Sequence, residues 1–155
     1  MRRNLVTCTL VAILMLCCSI AEATDWETDF KKASSAARTS GKYILLGFSG
    51  SDWCGWCIKL EKEVFSQDAF KDFAKENLVC VLVDFPSAKK QTRELKQQNW
   101  NLATKYGIKG YPTIIILSPD GEPVGKTGYL QGGPGKYTQH LNEIIERHKA
   151  ERKEK

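Results

Sequence analysis

The chain has 155 residues, of which 42% are hydrophobic and 26% are charged. These values are ordinary for one globular domain and exclude a wholly disordered chain. The net charge is +5, and the charged residues are spread along the chain, which argues against a dedicated nucleic-acid-binding protein. The six cysteines are more informative, because they are compatible with a disulfide framework, a metal site or redox chemistry.

The first 23 residues have the three parts of a secretory signal peptide. A basic start, Met1–Asn4, is followed by an uncharged apolar run, Leu5–Ile20, and then by small residues at both ends of Ala21-Glu22-Ala23, where a signal peptidase cleaves. We therefore predict a cleaved signal peptide over residues 1–23, a mature domain over 24–155, and export to an oxidising compartment.

Two other interpretations of this segment are disfavoured. An uncleaved membrane anchor would need roughly 20 apolar residues, and the run has about 16. A lipoprotein acylated at Cys17 or Cys18 would need a small residue before the cysteine, whereas Leu16 or Cys17 stands there. Cleavage leaves three of the six cysteines in the mature chain, which excludes a three-disulfide framework.

Helices and strands are predicted to alternate along the mature chain. Apolar residues at helical spacing indicate the helices, and short uninterrupted apolar runs indicate buried strands. The predicted elements are, in chain order, a helix over 25–40, a strand over 43–48, helices over 54–65 and around 70–74, a strand over 78–85, a helix over 88–106, strands over 113–117 and 123–127, and a helix from Pro134 onward. This order predicts an α/β domain with a partly parallel sheet and helices on both faces.

The same periodicity predicts which side chains of the helices face the core. They are Trp26, Phe30, Ala33 and Ala37 in the first helix, Leu95, Trp100 and Leu102 in the helix over 88–106, and Tyr137, Leu141, Ile144, Ile145 and His148 in the last helix. The last two strands are joined by a tight turn, Ser118–Gly121, and must therefore be antiparallel.

The residues that carry chemistry are concentrated in the segment 53–57, Trp-Cys-Gly-Trp-Cys, where a predicted strand is followed by a helix. The free N–H groups and partial positive charge of a first helical turn favour an anion, so the thiol pKa of Cys54 is expected to fall from about 8.5 toward roughly 3.5–7. Cys57 lies one helical turn further on, close enough to bond to Cys54. We predict that Cys54 is the exposed nucleophile and Cys57 the more buried resolving thiol of a dithiol–disulfide cycle.

Three other uses of this cysteine pair were considered. Zinc needs about four ligands, but Cys80 lies inside a predicted strand, and His140 and His148 do not form a ligand pair. A c-type haem needs His directly after the second cysteine, where Ile58 stands. A purely structural disulfide stays open, although so small a loop gains little stability from closure. We therefore predict no metal and no cofactor beyond the cysteine pair.

Two motifs together resemble the thioredoxin superfamily. They are Trp-Cys-x-x-Cys after an apolar strand and, roughly 55 residues later, Gly-Tyr-Pro-Thr at 110–113. The resemblance covers almost all of residues 25–149, and the segment 50–57 is similar to small bacterial periplasmic thiol:disulfide interchange proteins, reductases of the chlamydial type most of all. It implies a thioredoxin fold with a mixed sheet of four to five strands, and a cis Pro112 that faces the cysteines across the site.

The resemblance also implies how substrates are bound. An extended substrate segment would pair with the backbone at Tyr111 beside the cis-proline, and exposed apolar surface around the motif would hold it. The implied substrate-binding residues are Trp53, Gly55, Trp56, Tyr111 and Pro112. We expect Trp53 to pack over the helix start and Trp56 to lie on the surface.

One position departs from the family pattern. Thioredoxins carry a buried Asp, and disulfide isomerases a Glu, on the strand before the motif, where it accepts the proton of the second cysteine. The matching residue here is Gly47. Proton transfer from Cys57 must then use water or another group, for which Asp52 and Glu61 are weak candidates.

Other singled-out residues are predicted to be structural. Cys80 alternates with valines in a buried strand and is expected to be an inert core thiol. Asp84 is expected to cap the end of its strand rather than to titrate in catalysis. The charged tail, Arg147–Lys155, is expected to be a solvated helix end, where cations suit the helix dipole.

These observations predict a monomeric, exported thiol-disulfide oxidoreductase. The resemblance implies that it lies in the periplasm and reduces protein disulfides. A membrane thiol-electron carrier is the expected electron donor, by resemblance alone, and no nucleic-acid or metal partner is predicted. A disulfide oxidase or isomerase on the same fold is the nearest alternative. The alternative from another class is a non-catalytic thioredoxin-like chaperone that uses the surface between Trp56 and Tyr111.

Overall fold

The structure is a computed structural model that describes residues 26–154. The predicted signal peptide and the candidate acylation sites Cys17 and Cys18 lie outside the described residues. The elements follow in the order α1 (Phe30–Ser40), β1 (Tyr43–Ser49), α2 (Gly55–Leu60), α3 (Asp68–Asn77), β2 (Leu78–Asp84), α4 (Arg93–Lys105), β3 (Thr113–Leu117), β4 (Pro123–Thr127) and α5 (Gly133–Lys153). A π-helical turn, Glu61–Phe65, continues α2. Within residues 26–154, none of the helices combines the length and the apolar character that crossing a membrane requires.

The four strands form one mixed sheet in the order β2-β1-β3-β4. β1 runs parallel to β2 and antiparallel to β3, and β3 runs antiparallel to β4. An isolated parallel bridge from Glu27 to Val81 adds a short fifth segment outside β2. The predicted α/β class and the mixed sheet are therefore confirmed, and every predicted strand is present within one residue of its expected bounds.

Helices cover both faces of the sheet, as predicted. α1 and α4 cover one face, and α2, the π-helical turn, α3 and α5 cover the other. The buried core of the first face consists of Ala33, Ala37, Ile44, Leu46, Phe48, Val81, Val83, Leu102, Ala103, Ile115 and Leu117. The core of the second face includes Leu45, Leu60, Val64, Phe70, Cys80, Ile114, Ile116, Tyr137, Leu141 and Ile145. Because β1 is central, all but the last of its residues are buried.

The start of the first helix differs from the prediction. Asp29 caps α1 by accepting a hydrogen bond from the Lys32 N–H, so the helix begins at Phe30 rather than at residue 25. The residues before it pair with β2 instead: Glu27 N–H donates to Cys80 O, and Leu82 N–H donates to Glu27 O, each at 2.9 Å. This pairing carries Trp26 to the opposite face of the sheet from α1, so its predicted place on the helix is wrong.

The fourth helix also differs from the prediction. It begins at Arg93, capped by Thr92, whose hydroxyl accepts from the Leu95 N–H at 3.2 Å, rather than at Ala88. Trp100 is 62% exposed, so its predicted inward orientation is wrong. The neighbouring Asn99 is buried in its place, and its amide donates to the Asp84 carbonyl at 2.9 Å.

Candidate active site

The Cys54–Cys57 pair lies at the start of α2, in the loop that leaves β1. The two cysteines form a disulfide with their Cα atoms 5.2 Å apart. Cys54 is the N-cap of α2 and has an extended backbone, and its Sγ accepts a hydrogen bond from the Cys57 N–H at 3.3 Å. The predicted placement of both sulfurs at a strand-to-helix junction is therefore what the structure shows. A sulfur that accepts an N–H of the first turn is in the position where a thiolate is stabilised.

The two cysteines are almost equally buried, which differs from the sequence expectation. Cys54 is 7% exposed and Cys57 6%, whereas Cys54 was expected to be exposed and Cys57 more buried. Exposure therefore does not separate their roles. Their surroundings do, because Cys57 lines a cavity between α2 and the sheet, whereas Cys54 is the N-cap of α2.

Backbone N–H groups and side chains hold the loop before Cys54 in place. Asp84, at the end of β2, accepts from the Ser51 N–H at 2.9 Å and from the Ser51 hydroxyl at 2.6 Å. The Lys89 ammonium donates to the same hydroxyl at 3.0 Å. Asp52 accepts from three successive N–H groups at 87–89, and these bonds lower the pKa of its carboxyl. Asp84 thus ties the loop to the end of β2, and Asp52 ties it to the segment that follows.

The outer side of the disulfide, which we define by Trp53, Trp56, Tyr111 and Tyr129, is rich in aromatic rings. Trp53 and Trp56 are 54% and 58% exposed. The Trp53 indole donates to the Phe85 carbonyl at 2.8 Å and meets the Tyr111 ring edge-on, with 5.9 Å between centroids. Trp53 thus packs on one side, against Tyr111 and Gly50, and is open to solvent on the other.

Trp56 belongs to a second aromatic pair. Its ring lies 5.2 Å from that of Tyr129, and the Lys59 ammonium stands 5.0 Å from the Trp56 centroid and 5.1 Å from the Tyr129 centroid. The Tyr129 hydroxyl donates to Glu63 at 2.6 Å. The surface role expected for Trp56 agrees with this exposure, and the position of Lys59 gives the pair a cationic edge.

The remaining predicted site residues surround the cysteines. The Tyr111–Pro112 peptide bond is cis, the conformation that the family resemblance implies. Pro112 lines the same cavity as Cys57. Gly55 is the first residue of α2, and a Cβ added there would meet nothing within 4 Å. The fold thus brings the loops that carry all seven predicted site residues to one end of the sheet.

The inner side of the disulfide is a cavity of about 350 Å³ between α2 and the sheet. Its lining is mostly apolar and includes Trp26, Phe48, Leu60, Phe65 and Ile114, with Ser49, Ser51, Glu61 and Lys89 as the polar members. Gly47 lies on its sheet wall, where the family's buried acid would stand. A Cβ at Gly47 would come within 2.9 Å of the Trp26 ring, so the indole occupies the space that an acidic side chain would need.

Cys80 is kept apart from this chemistry. It is 3% exposed in β2, and burial raises the pKa of its thiol to about 12. Within residues 26–154, no three His, Cys, Asp or Glu side chains gather in a group that could hold a metal ion. The two histidines point elsewhere: His140 contacts the Thr127 hydroxyl at 3.1 Å, and His148 the Tyr43 hydroxyl at 2.8 Å.

Comparison with known proteins identifies the family. The sequence model of the thioredoxin-like domain family matches residues 30–145 of this chain. The chain belongs to the thioredoxin-like family. Disulfide bond reductase DsbH of Chlamydia pneumoniae is 32% identical over 120 residues, which are 77% of this chain and 72% of that protein. Thioredoxin-related protein DsbJ of the same organism is 32% identical over 103 residues, 66% of this chain and 30% of that protein.

A solved structure supports the same assignment. The DsbH oxidoreductase structure superposes with a TM-score of 0.75 at 32% identity, over 79% of this chain and 84% of the other. The thioredoxin fold predicted from the sequence is therefore confirmed. With its Cys54–Cys57 disulfide, this thioredoxin-like chain is a thiol:disulfide oxidoreductase of the Dsb and thioredoxin type.

Several residues of the site were not predicted from the sequence. Phe85 and Tyr129 support the two exposed tryptophans, Trp26 fills the space beside Gly47, and Lys89 reaches the loop before Cys54. They come from segments far apart in the chain. Only Lys59 carries a local signal, because it stands three residues after Trp56 on the same helix and therefore on the same side of it.

Proposed function

We propose that this protein is an exported enzyme that reduces disulfides in other proteins in the periplasm, with the Cys54–Cys57 pair as its redox centre. The observation that carries the proposal is the place of this disulfide: at the cap of α2, beside a cis-proline, between two exposed tryptophans. Export rests on the signal-peptide pattern of residues 1–23. We expect the exported protein to begin at Thr24, which N-terminal sequencing would check.

Cys54 is the proposed nucleophile. Its thiolate, stabilised by the first turn of α2, attacks one sulfur of a substrate disulfide, whose other sulfur leaves as a thiolate and takes a proton from water. Cys57 then loses its proton and attacks the Cys54 sulfur. The mixed disulfide breaks, the second substrate sulfur leaves and is protonated, and the substrate has gained two electrons. At the end of the reaction the protein holds the Cys54–Cys57 disulfide that this structure shows. The reaction needs no cofactor.

The outer side of the disulfide is the proposed substrate surface. An extended segment that pairs with the backbone at Tyr111 would pass between Trp53 and Trp56 and over Gly55 and Pro112. Gly55 leaves open space for it, and the two half-exposed indoles offer apolar contact. The protein acts as a monomer in this proposal, since one chain supplies every residue named.

The direction of the reaction is proposed from the comparison. The relative that is 32% identical over most of both chains bears the name of a disulfide bond reductase. A reductase outside the cytoplasm needs a source of electrons, and we propose a membrane thiol-electron carrier as the donor. A thiolate of the donor would attack the Cys54 sulfur, and Cys57 would leave as a thiolate and take a proton. A second thiol of the donor would then resolve this mixed disulfide, so that this protein ends as the dithiol and the donor as the disulfide.

An insulin-type assay tests the proposal. The protein purified after export is given an insulin-type disulfide substrate with dithiothreitol, and we expect reduction well above the rate with dithiothreitol alone. Cys54→Ser should lose this activity entirely, and Cys57→Ala should trap a mixed disulfide through Cys54. If the wild-type protein reduced the substrate no faster than Cys54→Ser, the redox function would be overturned and the non-catalytic, chaperone-like binding function would remain.

The reduction potential of the pair decides the direction. A value near about −270 mV would support a reductase, and a value near about −120 mV an oxidase. Equilibration with glutathione or dithiothreitol buffers, followed by mass spectrometry of the alkylated protein, would measure it. An oxidising value would overturn the reductive direction while leaving the roles of Cys54 and Cys57 intact.

A further inference from the structure

We propose that Glu61 accepts the proton of Cys57 during resolution of the mixed disulfide, through water in the cavity beneath the disulfide. The inference rests on the proposed cycle of Cys54 and Cys57 and adds a group that this cycle needs. In that cycle the Cys57 thiol must lose a proton before it attacks, and the usual strand position for an acceptor is Gly47.

The helix brings Glu61 toward Cys57. The two residues are four apart, and the Glu61 N–H bonds to the Cys57 carbonyl, so their side chains lie one above the other on the same side of the helix. Helical side chains lean toward the N-terminus of their helix, which directs the Glu61 carboxyl back toward the turn that holds Cys57. Both residues line the cavity of about 350 Å³.

The cavity can carry a proton between them. A water molecule takes up about 30 Å³ in the liquid, and a buried water needs polar partners; Ser49, Ser51, Glu61 and Lys89 supply them in the lining. Glu61 lies at the mouth, because its side chain is exposed as well as lining the cavity. It can therefore take a proton from the inside and release it to solvent.

The other charged groups near the site are less suited. Asp52 points its carboxylate at three backbone N–H groups, which hold its pKa low and make it a poor base. Asp84 is occupied by Ser51 and does not line the cavity. Lys89 does line it, but an ammonium has no lone pair with which to accept a proton.

The surroundings of Glu61 make it a better base than an ordinary carboxylate. Partial burial raises the pKa of its carboxyl, and Lys71 on α3 acts against this by drawing that pKa down. Lys89, from the loop after β2, is the other charged group in the cavity lining. A carboxylate with a raised pKa is a stronger base, which holds the proton it receives more readily.

The proposed step is balanced in atoms and charge. The Cys57 S–H bond breaks, and its proton moves through water to a Glu61 carboxylate oxygen as the Cys57 sulfur attacks Cys54. The mixed disulfide breaks, and the substrate sulfur leaves with the electron pair of that bond. When the donor thiolate later attacks Cys54, a bond forms between the donor sulfur and Cys54, and Cys57 leaves as a thiolate. Cys57 then recovers a proton through Glu61, which takes its own proton from solvent.

A two-phase reaction measures this step apart from the first attack. The reduced protein is mixed with limiting dithiobis-nitrobenzoate, whose coloured thiolate is released once when Cys54 attacks and again when Cys57 resolves the mixed disulfide. In Glu61→Gln we expect the first phase to change less than about twofold and the second to slow by about tenfold to a hundredfold near pH 7. Glu76→Gln, which removes an exposed carboxylate from α3, is the control and should change neither phase.

The pH profile gives the step a signature. The advantage of wild type over Glu61→Gln should appear above the raised pKa of Glu61, where the acceptor is ionised, and disappear as the pH falls through it. It should shrink again at high pH, where Cys57 ionises without help. Glu61→Asp should keep the shape of the wild-type profile at a lower rate, because the carboxylate remains.

A second readout separates proton transfer from a purely electrostatic effect. In a Cys54→Ser background, Glu61→Gln should lower the thiol pKa of Cys57, followed by thiolate absorbance, because a nearby negative charge is removed. An electrostatic role alone would then make resolution faster, whereas we expect it to be slower. An unchanged or faster second phase overturns the inference. A wild type without a second phase would instead show that the Cys54–Cys57 cycle itself is wrong, and the role of Glu61 falls with it.

Discussion

The two sides of the Cys54–Cys57 disulfide differ in how their aromatic residues are placed. The outer side presents aromatic rings to solvent, with Trp53 and Trp56 more than half exposed. The inner side is a cavity beneath the disulfide, where a third tryptophan, Trp26, covers Gly47 and its ring centroid lies 4.9 Å from that of Phe65. Replacing an exposed ring on the outer side leaves the hydrophobic core intact. The Trp26 ring on the inner side, by contrast, leaves no space for a side chain at Gly47. The proposed substrate surface and the proposed proton acceptor therefore use different side chains and can be changed separately.

The largest effect is expected on the inner side, from restoring the family's acid. Gly47→Asp should lower the free energy of unfolding by about 2–4 kcal/mol, because its Cβ would meet the Trp26 ring and its carboxyl would enter an apolar wall. Urea unfolding measures this. In Trp26→Ala/Gly47→Asp the collision is gone, so the second change should cost less than it does alone.

Gly55→Ala is the matched control for Gly47→Asp. A Cβ there meets nothing within 4 Å, so stability should stay within about 1 kcal/mol of wild type. If Gly47→Asp were as stable as Gly55→Ala, Trp26 would not be what keeps the acid out of this fold.

A smaller effect is expected on the outer side, and on binding rather than on stability. Trp56→Ala should raise KM for a protein disulfide about tenfold, the cost of one exposed aromatic contact of about 1.4 kcal/mol, and lower stability by less than about 1 kcal/mol. Trp53→Ala should lower stability by about 1–3 kcal/mol as well, because the bond to the Phe85 carbonyl and the packing on Gly50 are lost. Insulin-type kinetics and urea unfolding on both variants check this, and a greater loss of stability in Trp56→Ala would contradict it.

The smallest effect is expected at Trp100, which lies on α4 and meets Phe85 edge-on at 5.4 Å. Trp100→Ala should cost about 0.5–1 kcal/mol of stability through this ring contact and leave KM within twofold. The same two measurements suffice. A rise in KM as large as that of Trp56→Ala would mean that the substrate surface continues through Phe85 to α4.

Trp26 and Trp100 show why part of the structure could not be predicted. Trp26 stands at helical spacing from Phe30, but the backbone of Glu27 pairs with β2, which lies more than fifty residues further along the chain. Trp100 stands where an apolar residue was expected to face inward, but Asn99 is anchored to the Asp84 carbonyl and turns the helix so that Trp100 faces solvent. Each outcome depends on a hydrogen bond to a distant strand, which local periodicity cannot register.

The residues alone were enough to place the redox centre, because its geometry is local. Two cysteines three positions apart at the end of an apolar strand lie one helical turn from each other whatever surrounds them. The strands could also be predicted from local sequence, because a short uninterrupted apolar run indicates a buried strand. The packing of distant segments decided the rest: the indole beside Gly47, the rings behind Trp53 and Trp56, and the cavity that joins Glu61 to Cys57. These are contacts between side chains that meet only after the sheet has formed and the helices have packed on it, so no short stretch of sequence contains them.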